Sequence, residues 1–227
     1  MNPIIKILIL ADFFIFSGLG LINPIFAVFI KDSLVGGSLS TVGIATAVYL
    51  IVKAVLQIPI SQFTDREQAS VREFWTLIFG YLIIAATPFL YLMIHTVLGL
   101  YAVQAFYGLG AALAFPGFMA IFTKFADHKR AGFSWSFYST VTLLSAAAAA
   151  SIGGFVGEQY GFRMLLLGVG TLTFLGFFTT LGLALFYDDL RLVNPQGIKP
   201  FWHRLMHFLG RHKHPPTLPP AGGIMPK

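Results

Sequence analysis

No cysteine occurs among the 227 residues. That excludes a disulfide framework, a cysteine-ligated zinc site and a thiol nucleophile. Charge is also scarce: Asp, Glu, Lys and Arg make up 11% of the chain, where soluble domains carry about a quarter. With so little polar surface, a soluble globule of this size would have to leave many Phe, Leu and Ile side chains in water. An ordinary cytosolic enzyme is therefore excluded. The sequence also lacks a Gly-x-x-x-x-Gly-Lys-Ser/Thr phosphate loop, clustered aspartates that could hold magnesium, and an arginine ladder like that of a voltage sensor. Gly132-Phe133-Ser134-Trp135-Ser136 superficially suggests a serine nucleophile, but the one histidine at the outer membrane edge, His95, is expected on the opposite face of the bilayer. The chain is not expected to be an enzyme, and neither a cofactor nor a metal is expected.

What the chain has instead is long apolar runs: 56% of its residues are hydrophobic, with 24 Phe and 23 Gly. A helix needs about 20 such residues to cross a core about 30 Å thick. Charge-poor stretches of this length predict membrane-spanning helices at about 7–30, 40–63, 74–94, 97–122, 131–157 and 164–187. The third and fourth come from one uncharged run, Phe74 to Thr123, which is too long for a single crossing and divides at His95-Thr96. Alternating ten-residue segments of a barrel are absent. The first span is too long for a secretory signal, carries Asp12 and is followed by no clean Ala-x-Ala site, so it is read as a retained helix. The expectation is an all-α integral membrane protein with six transmembrane helices in residues 1–192.

Basic residues set the orientation. With the N-terminus inside, twelve Lys and Arg lie on the cytoplasmic side and only Lys31 and Arg163 outside. This predicts a multi-pass protein of the cell inner (plasma) membrane with both termini cytoplasmic. No nucleic-acid role is needed to explain the formal charge of +6. Residues 193–227 read as a cytoplasmic tail. Its apolar Phe201, Trp202, Leu205, Met206, Phe208 and Leu209 share one face of an interfacial helix at about 200–211, and a proline-rich disordered end follows. The tail histidines 203, 207, 212 and 214 fit the polar side of that helix better than a metal site.

Part of the sequence recurs. Gly18-Leu19-Gly20 in the first span returns as Gly108-Leu109-Gly110 in the fourth, and each is followed by a proline, Pro24 and Pro116. Three helices followed by three of opposite orientation make a 3+3 inverted repeat, a pattern found in secondary transporters. Ser61-Gln62-Phe63-Thr64-Asp65-Arg66-Glu67-Gln68-Ala69-Ser70, between spans two and three, keeps Asp65-Arg66 of a Gly-x-Leu-Ala-Asp-Arg-x-Gly-Arg-Arg loop and loses its glycines and basic pair. Gln104-Ala105-Phe106-Tyr107-Gly108-Leu109-Gly110 places Gln where Arg-x-x-x-Gly-x-Gly has arginine, and Gly153-Gly154 keeps the end of Gly-Pro-x-x-Gly-Gly. Asp127-His128-Lys129-Arg130-Ala131-Gly132 forms a basic connection. In these motifs about residues 5–190 resemble the N-terminal six-helix half of the major facilitator superfamily. The resemblance implies a secondary active transporter of a small solute working by alternating access, with a proton as a potential coupling ion. A non-transporting scaffold or a channel-like oligomer is the alternative.

Polar residues inside the spans are the substrate and proton pathway candidates, because a charge facing lipid is costly. They are Asp12, Asn23, Lys53, Gln57, Gln104, Tyr107 and Tyr138. By helical rise Asp12 and Lys53 differ in depth by roughly 7 Å, within reach of an ion pair between adjacent helices. Asp65, Arg66 and Arg130 are read as a gating loop, with Asp65 paired to one of the two arginines. Gly108, Ala149, Gly153, Gly154 and Gly157 are read as helix-packing residues, since small side chains let backbones approach. Complete members of the resembled family have twelve helices. The small-residue face of span five therefore predicts a homodimer, with a complementary six-helix half or a truncated product as alternatives.

Overall fold

The computed structural model describes residues 2–64 and 69–186. The interfacial tail helix expected at about 200–211, together with Asp65 and Arg66, lies outside those residues. The described residues are helical and contain no strand; one isolated backbone bridge joins Val35 to Thr96. The helices are α1 (Pro3–Ile22), α2 (Phe26–Ser33), α3 (Leu39–Thr64), α4 (Ala69–Tyr91), α5 (Val97–Phe125) and α6 (Ala131–Leu181).

Local chemistry sets the ends. The Asn2 side chain accepts from the Ile4 amide at 2.9 Å with Pro3 in the first turn of α1, so two of the unpaired needs of that terminus are met. Pro24 has no amide proton to continue α1, and Asn23–Ile25 tightens into a 3-10 turn before α2 resumes. Thr96 caps α5 through the Gly99 amide at 3.2 Å, and Asp127 caps the turn before α6 through the Lys129 amide at 2.9 Å. Pro59, Pro88 and Pro116 lie within α3, α4 and α5 without ending them.

Among the described residues, five stretches are long and apolar enough to cross a membrane: Pro3–Ser33, Leu39–Thr64, Val71–Tyr91, Val97–Phe125 and Ala131–Phe186. The last is where the structure departs from the expected spans at 131–157 and 164–187. It is one continuous helical run broken only at Gly161, whose φ of 77° and ψ of 169° lie where side-chain-bearing residues are strained. A straight helix of 51 residues would be about 77 Å long, more than twice the membrane core.

The contacts of α6 show that it folds back. Along its first arm, Tyr138 meets Asp12, Ala149 meets Gly20 and Gly157 meets Ile25, so this arm runs parallel to α1. Along its second arm, Val169 and Thr173 meet Gly18 while Gly176 meets Ala11 and Ile15, so this arm runs antiparallel. Helix α1 is clasped between the two. On the other side of the bundle, α5 packs between α3 and α4, and α4 also contacts α6. One apolar cluster near the N-terminal end gathers Ile5, Leu8, Phe74, Leu77 and Phe122. A second, toward the other end, gathers Phe29, Ile30, Leu100, Leu165 and Leu166. Helix α3 is peripheral: Leu50, Ile51, Val55, Ile58 and Phe63 are exposed along it.

The clasp corrects one expectation. Ala149, Gly153 and Gly157 do form a close-packing face, but that face meets α1 and the turn after it in the same chain and is not free for a second copy. A Cβ at Gly153 would fall on the Leu21 carbonyl, whereas one at Gly154 meets nothing within 4 Å. Backbone cannot retreat as a flexible side chain can, and overpacking of this kind costs about 1–3 kcal/mol or more. Gly153→Ile is therefore expected to lower the melting temperature in detergent by several degrees, while Gly154→Ile leaves it near wild type. Equal melting of the two variants would contradict the clasp.

Candidate functional site

Asp12 lies nine residues after the start of α1, about 14 Å along the helix, with its side chain 5% exposed. Placing a carboxylate near a membrane centre costs about 3 kcal/mol on insertion scales. Two hydroxyls offset that cost. Tyr81 of α4 donates to Oδ1, and Tyr138 of α6 donates to Oδ2 at 2.7 Å. Each charge-assisted bond is worth about 1.5–3 kcal/mol, so the pair suffices to hold the carboxylate. Tyr138 is itself fixed by Phe118, Phe122 and Trp135, with ring centroids 5.1, 5.5 and 5.8 Å away.

The ion pair expected between Asp12 and Lys53 does not form. Lys53 is on the peripheral α3, which packs mainly on α5, and its ammonium lies over the Phe115 ring, 5.2 Å from the centroid. The ring face supplies the attraction that a carboxylate was expected to supply. Gln57, one turn further along α3, lines a separate open cavity of about 510 Å³ with Ser61, Phe115, Thr123 and Lys124.

A second cavity, of about 330 Å³, lies where the two apolar clusters meet. It brings together Asn23, Gln104 and Tyr107, three residues singled out in the sequence, from α5 and the turn after α1. Around them stand the rings of Phe16, Phe26, Tyr49 and Tyr91, and Tyr49 stacks on Tyr107 at 4.6 Å and 16°. Gln104 is 5% exposed, and its side chain has no hydrogen-bond partner among the described residues. Phe16 in the cavity wall follows Asp12 by one helical turn, about 6 Å of rise, so the carboxylate lies just beneath the cavity. Gly108 lets α5 approach α3 here: a Cβ would lie 2.7 Å from the Tyr49 carbonyl.

Near the N-terminal end, Lys124 binds both oxygens of Glu73, at 2.6 and 2.7 Å, and Glu73 is only 2% exposed. Arg72 reaches the Phe63 carbonyl at 3.1 Å and ties α3 to α4. Arg130 is exposed and lines a cavity of about 340 Å³ with Asn2, Asp127 and Ser134. Its expected partner Asp65 lies outside the described residues.

Sequence reasoning missed Tyr81, Tyr49, Tyr91 and Glu73. Tyrosines favour membrane interfaces, so Tyr81 in the middle of an apolar run was an available signal. Glu73 stood just outside the uncharged run, and its partner lies 51 residues away, a distance over which no local pattern operates.

A family model described as Major Facilitator Superfamily matches residues 8–218. An uncharacterized MFS-type transporter of Methanocaldococcus jannaschii is 24% identical over 147 residues, covering 65% of this chain and 36% of that relative. The chain thus spans about a third of the length of the curated relative it matches.

If the two tyrosines hold the carboxylate, Tyr81→Phe should destabilise the wild type by about 1–3 kcal/mol and cost much less in an Asp12→Ala background. A double-mutant cycle on unfolding in mixed micelles measures the difference. Additive effects would mean that the Tyr81–Asp12 bond contributes nothing.

Proposed function

Because the chain belongs to the Major Facilitator Superfamily, we propose that it forms a six-helix half of a secondary active transporter that moves a small solute by alternating access. In this reading the fold-back at Gly161 makes α6 two crossings, giving six in all as a 3+3 inverted repeat over residues 1–192. Helices α1 and α5, which carry the recurring Gly-Leu-Gly segments, are the repeat-related pair, and both contribute to the cavity of Asn23, Gln104 and Tyr107. A second half, from another copy of this chain or a complementary six-helix protein, completes the pathway against the exposed face of α3. Lys53 and Gln57 are half-buried at the edge of that face beside α5, a position that suits a polar partner better than lipid.

The observation that carries the proposal is the buried Asp12, held by hydroxyls from two other helices one turn below the cavity. A carboxylate held this way is sensitive to helix movement. Separating α1 from α4 and α6 removes its donors and makes proton uptake the cheaper way to keep it buried. Protonation and conformation are thereby linked, which is what coupling to a proton gradient requires. Asp12 is the proton-binding residue in this scheme, and the cavity receives the solute.

The test is reconstitution into liposomes loaded with a metabolite extract, with exchanged solutes identified by mass spectrometry. Wild type is expected to exchange at least one solute saturably and to respond to an imposed pH gradient. Asp12→Asn, which keeps two hydrogen-bonding positions but no titratable oxygen, should exchange without that response. A variant that responds like wild type removes Asp12 from coupling, and an unsaturable leak favours the channel reading.

The orientation is proposed from charge. Lys6, Arg72, Lys124, Lys129 and Arg130 lie toward the N-terminal end of the bundle, and Lys31 and Arg163 toward the other. The basic end faces the cytoplasm of the inner membrane. In sealed cells an impermeant maleimide is expected to label Lys31→Cys and Arg163→Cys and to spare Lys129→Cys. The reverse pattern would invert the topology.

A further inference from the structure

Three features of the central cavity bear on what it holds. First, none of the described residues lining it is charged. Lys53 is engaged on Phe115, and Asp12 is engaged by two tyrosines below the floor. Second, the wall is mainly apolar, and five of its fifteen residues are aromatic (Phe16, Phe26, Tyr49, Tyr91 and Tyr107), offering flat faces to a flat apolar body. Third, the polar groups are unevenly available. The Thr46 and Thr87 hydroxyls donate to the Val42 and Ile83 carbonyls of their own helices, at 3.0 and 2.9 Å. The Gln104 amide is buried yet unpartnered among the described residues, with two donors and an acceptor to offer.

From these we infer that the cavity binds an uncharged, flat, mainly apolar molecule bearing a carboxamide or similar neutral donor–acceptor group, which hydrogen-bonds the Gln104 side chain between aromatic faces. This rests on the reading of the cavity as the solute site. The physical reason is selection by desolvation. A carboxylate or ammonium entering here would lose its hydration without meeting an opposite charge, whereas a neutral amide exchanges water for Gln104. An aromatic wall can attract a cation, but nothing in the lining neutralises it. A volume of about 330 Å³ falls at the small end of ligand pockets, about 300–1,000 Å³, and suits a body of one or two fused rings.

The experiment uses four compounds of one shape: indole-3-acetamide, indole-3-acetate, tryptamine and 3-methylindole. Binding of tritiated indole-3-acetamide to the full chain in lipid nanodiscs is measured by scintillation proximity, with empty nanodiscs as the partition control. The amide is expected to bind saturably, and both charged analogues to compete at least about tenfold more weakly. Gln104→Leu keeps the helix and the shape. It should weaken the amide about fivefold or more while leaving 3-methylindole unchanged or tighter. Gln104→Glu should turn the preference toward tryptamine. The inference is overturned by absence of saturable amide binding, by a charged analogue binding wild type as tightly, or by Gln104→Leu weakening the amide and 3-methylindole alike. Because binding needs no turnover, the two readings fail separately. The expected binding pattern without flux in liposomes defeats the transporter reading and keeps this one. Saturable flux of indole-3-acetate or tryptamine with exclusion of the amide does the reverse.

Discussion

The bundle is organised around a carboxylate that has no business in an apolar medium unless it is held. Asp12 draws a hydroxyl from α4 and another from α6 to the same point on α1, and three helices are thereby fixed in depth and rotation. The aromatic packing around Tyr138 keeps one of those hydroxyls aimed. Interhelical hydrogen bonds in membranes average well under 1 kcal/mol when the partners are neutral, because a separated helix finds other partners. A buried carboxylate changes that balance, since leaving it unpaired is the costly alternative. In the proposed scheme the same property serves a second state, in which a proton replaces one of the hydroxyls.

Close packing supplies the rest. Lipid gives little hydrophobic reason for helices to associate, so contact area and backbone approach decide which pairs form. Gly18 and Gly20 put the α1 backbone against both arms of α6, and Gly153 receives the Leu21 carbonyl in return. This clasp explains why α1 is well buried while α3 is not: α3 meets α5 at Gly108 and shows most of its apolar side chains outward. The cavity lies between these two regimes. Its walls come from the tightly held α1, α4 and α6 on one side and from α3 and α5 on the other. Both core clusters bridge these two groups, so α5 is tied to α1 at each end of the cavity.

Membership of the Major Facilitator Superfamily and the helical, membrane-spanning character were both legible in the residues. They rest on features a linear reading can see: runs of about 20 apolar residues and short motifs such as Asp65-Arg66 and Gly108-Leu109-Gly110. Asn23, Gln104 and Tyr107 were among seven polar residues marked as pathway candidates, and the structure gathers these three around one cavity. Partners were not legible. Asp12 and Lys53 were paired on depth and opposite charge, and the structure sends one to two tyrosines and the other to a phenylalanine ring. Coulomb attraction is the interaction easiest to see in a sequence. Hydroxyl donors and ring faces compete with it at short range, and nothing local in the sequence names their partners.

By itself, then, the sequence determined which stretches can cross a membrane, what caps several helix ends, and which end of the bundle is basic. Each of these depends on local composition, on capping side chains such as Asn2 and Thr96, or on a proline such as Pro24. Only the tertiary structure decided which face of each helix is used and against what. Ala149 and Gly153 read as a surface for another chain until α1 is seen lying on it, and Gly154, their neighbour, meets nothing. Small residues announce that a backbone can come close but not whose. That choice depends on the rotation of each helix about its axis, and here the buried carboxylate and the fold-back at Gly161 set it together.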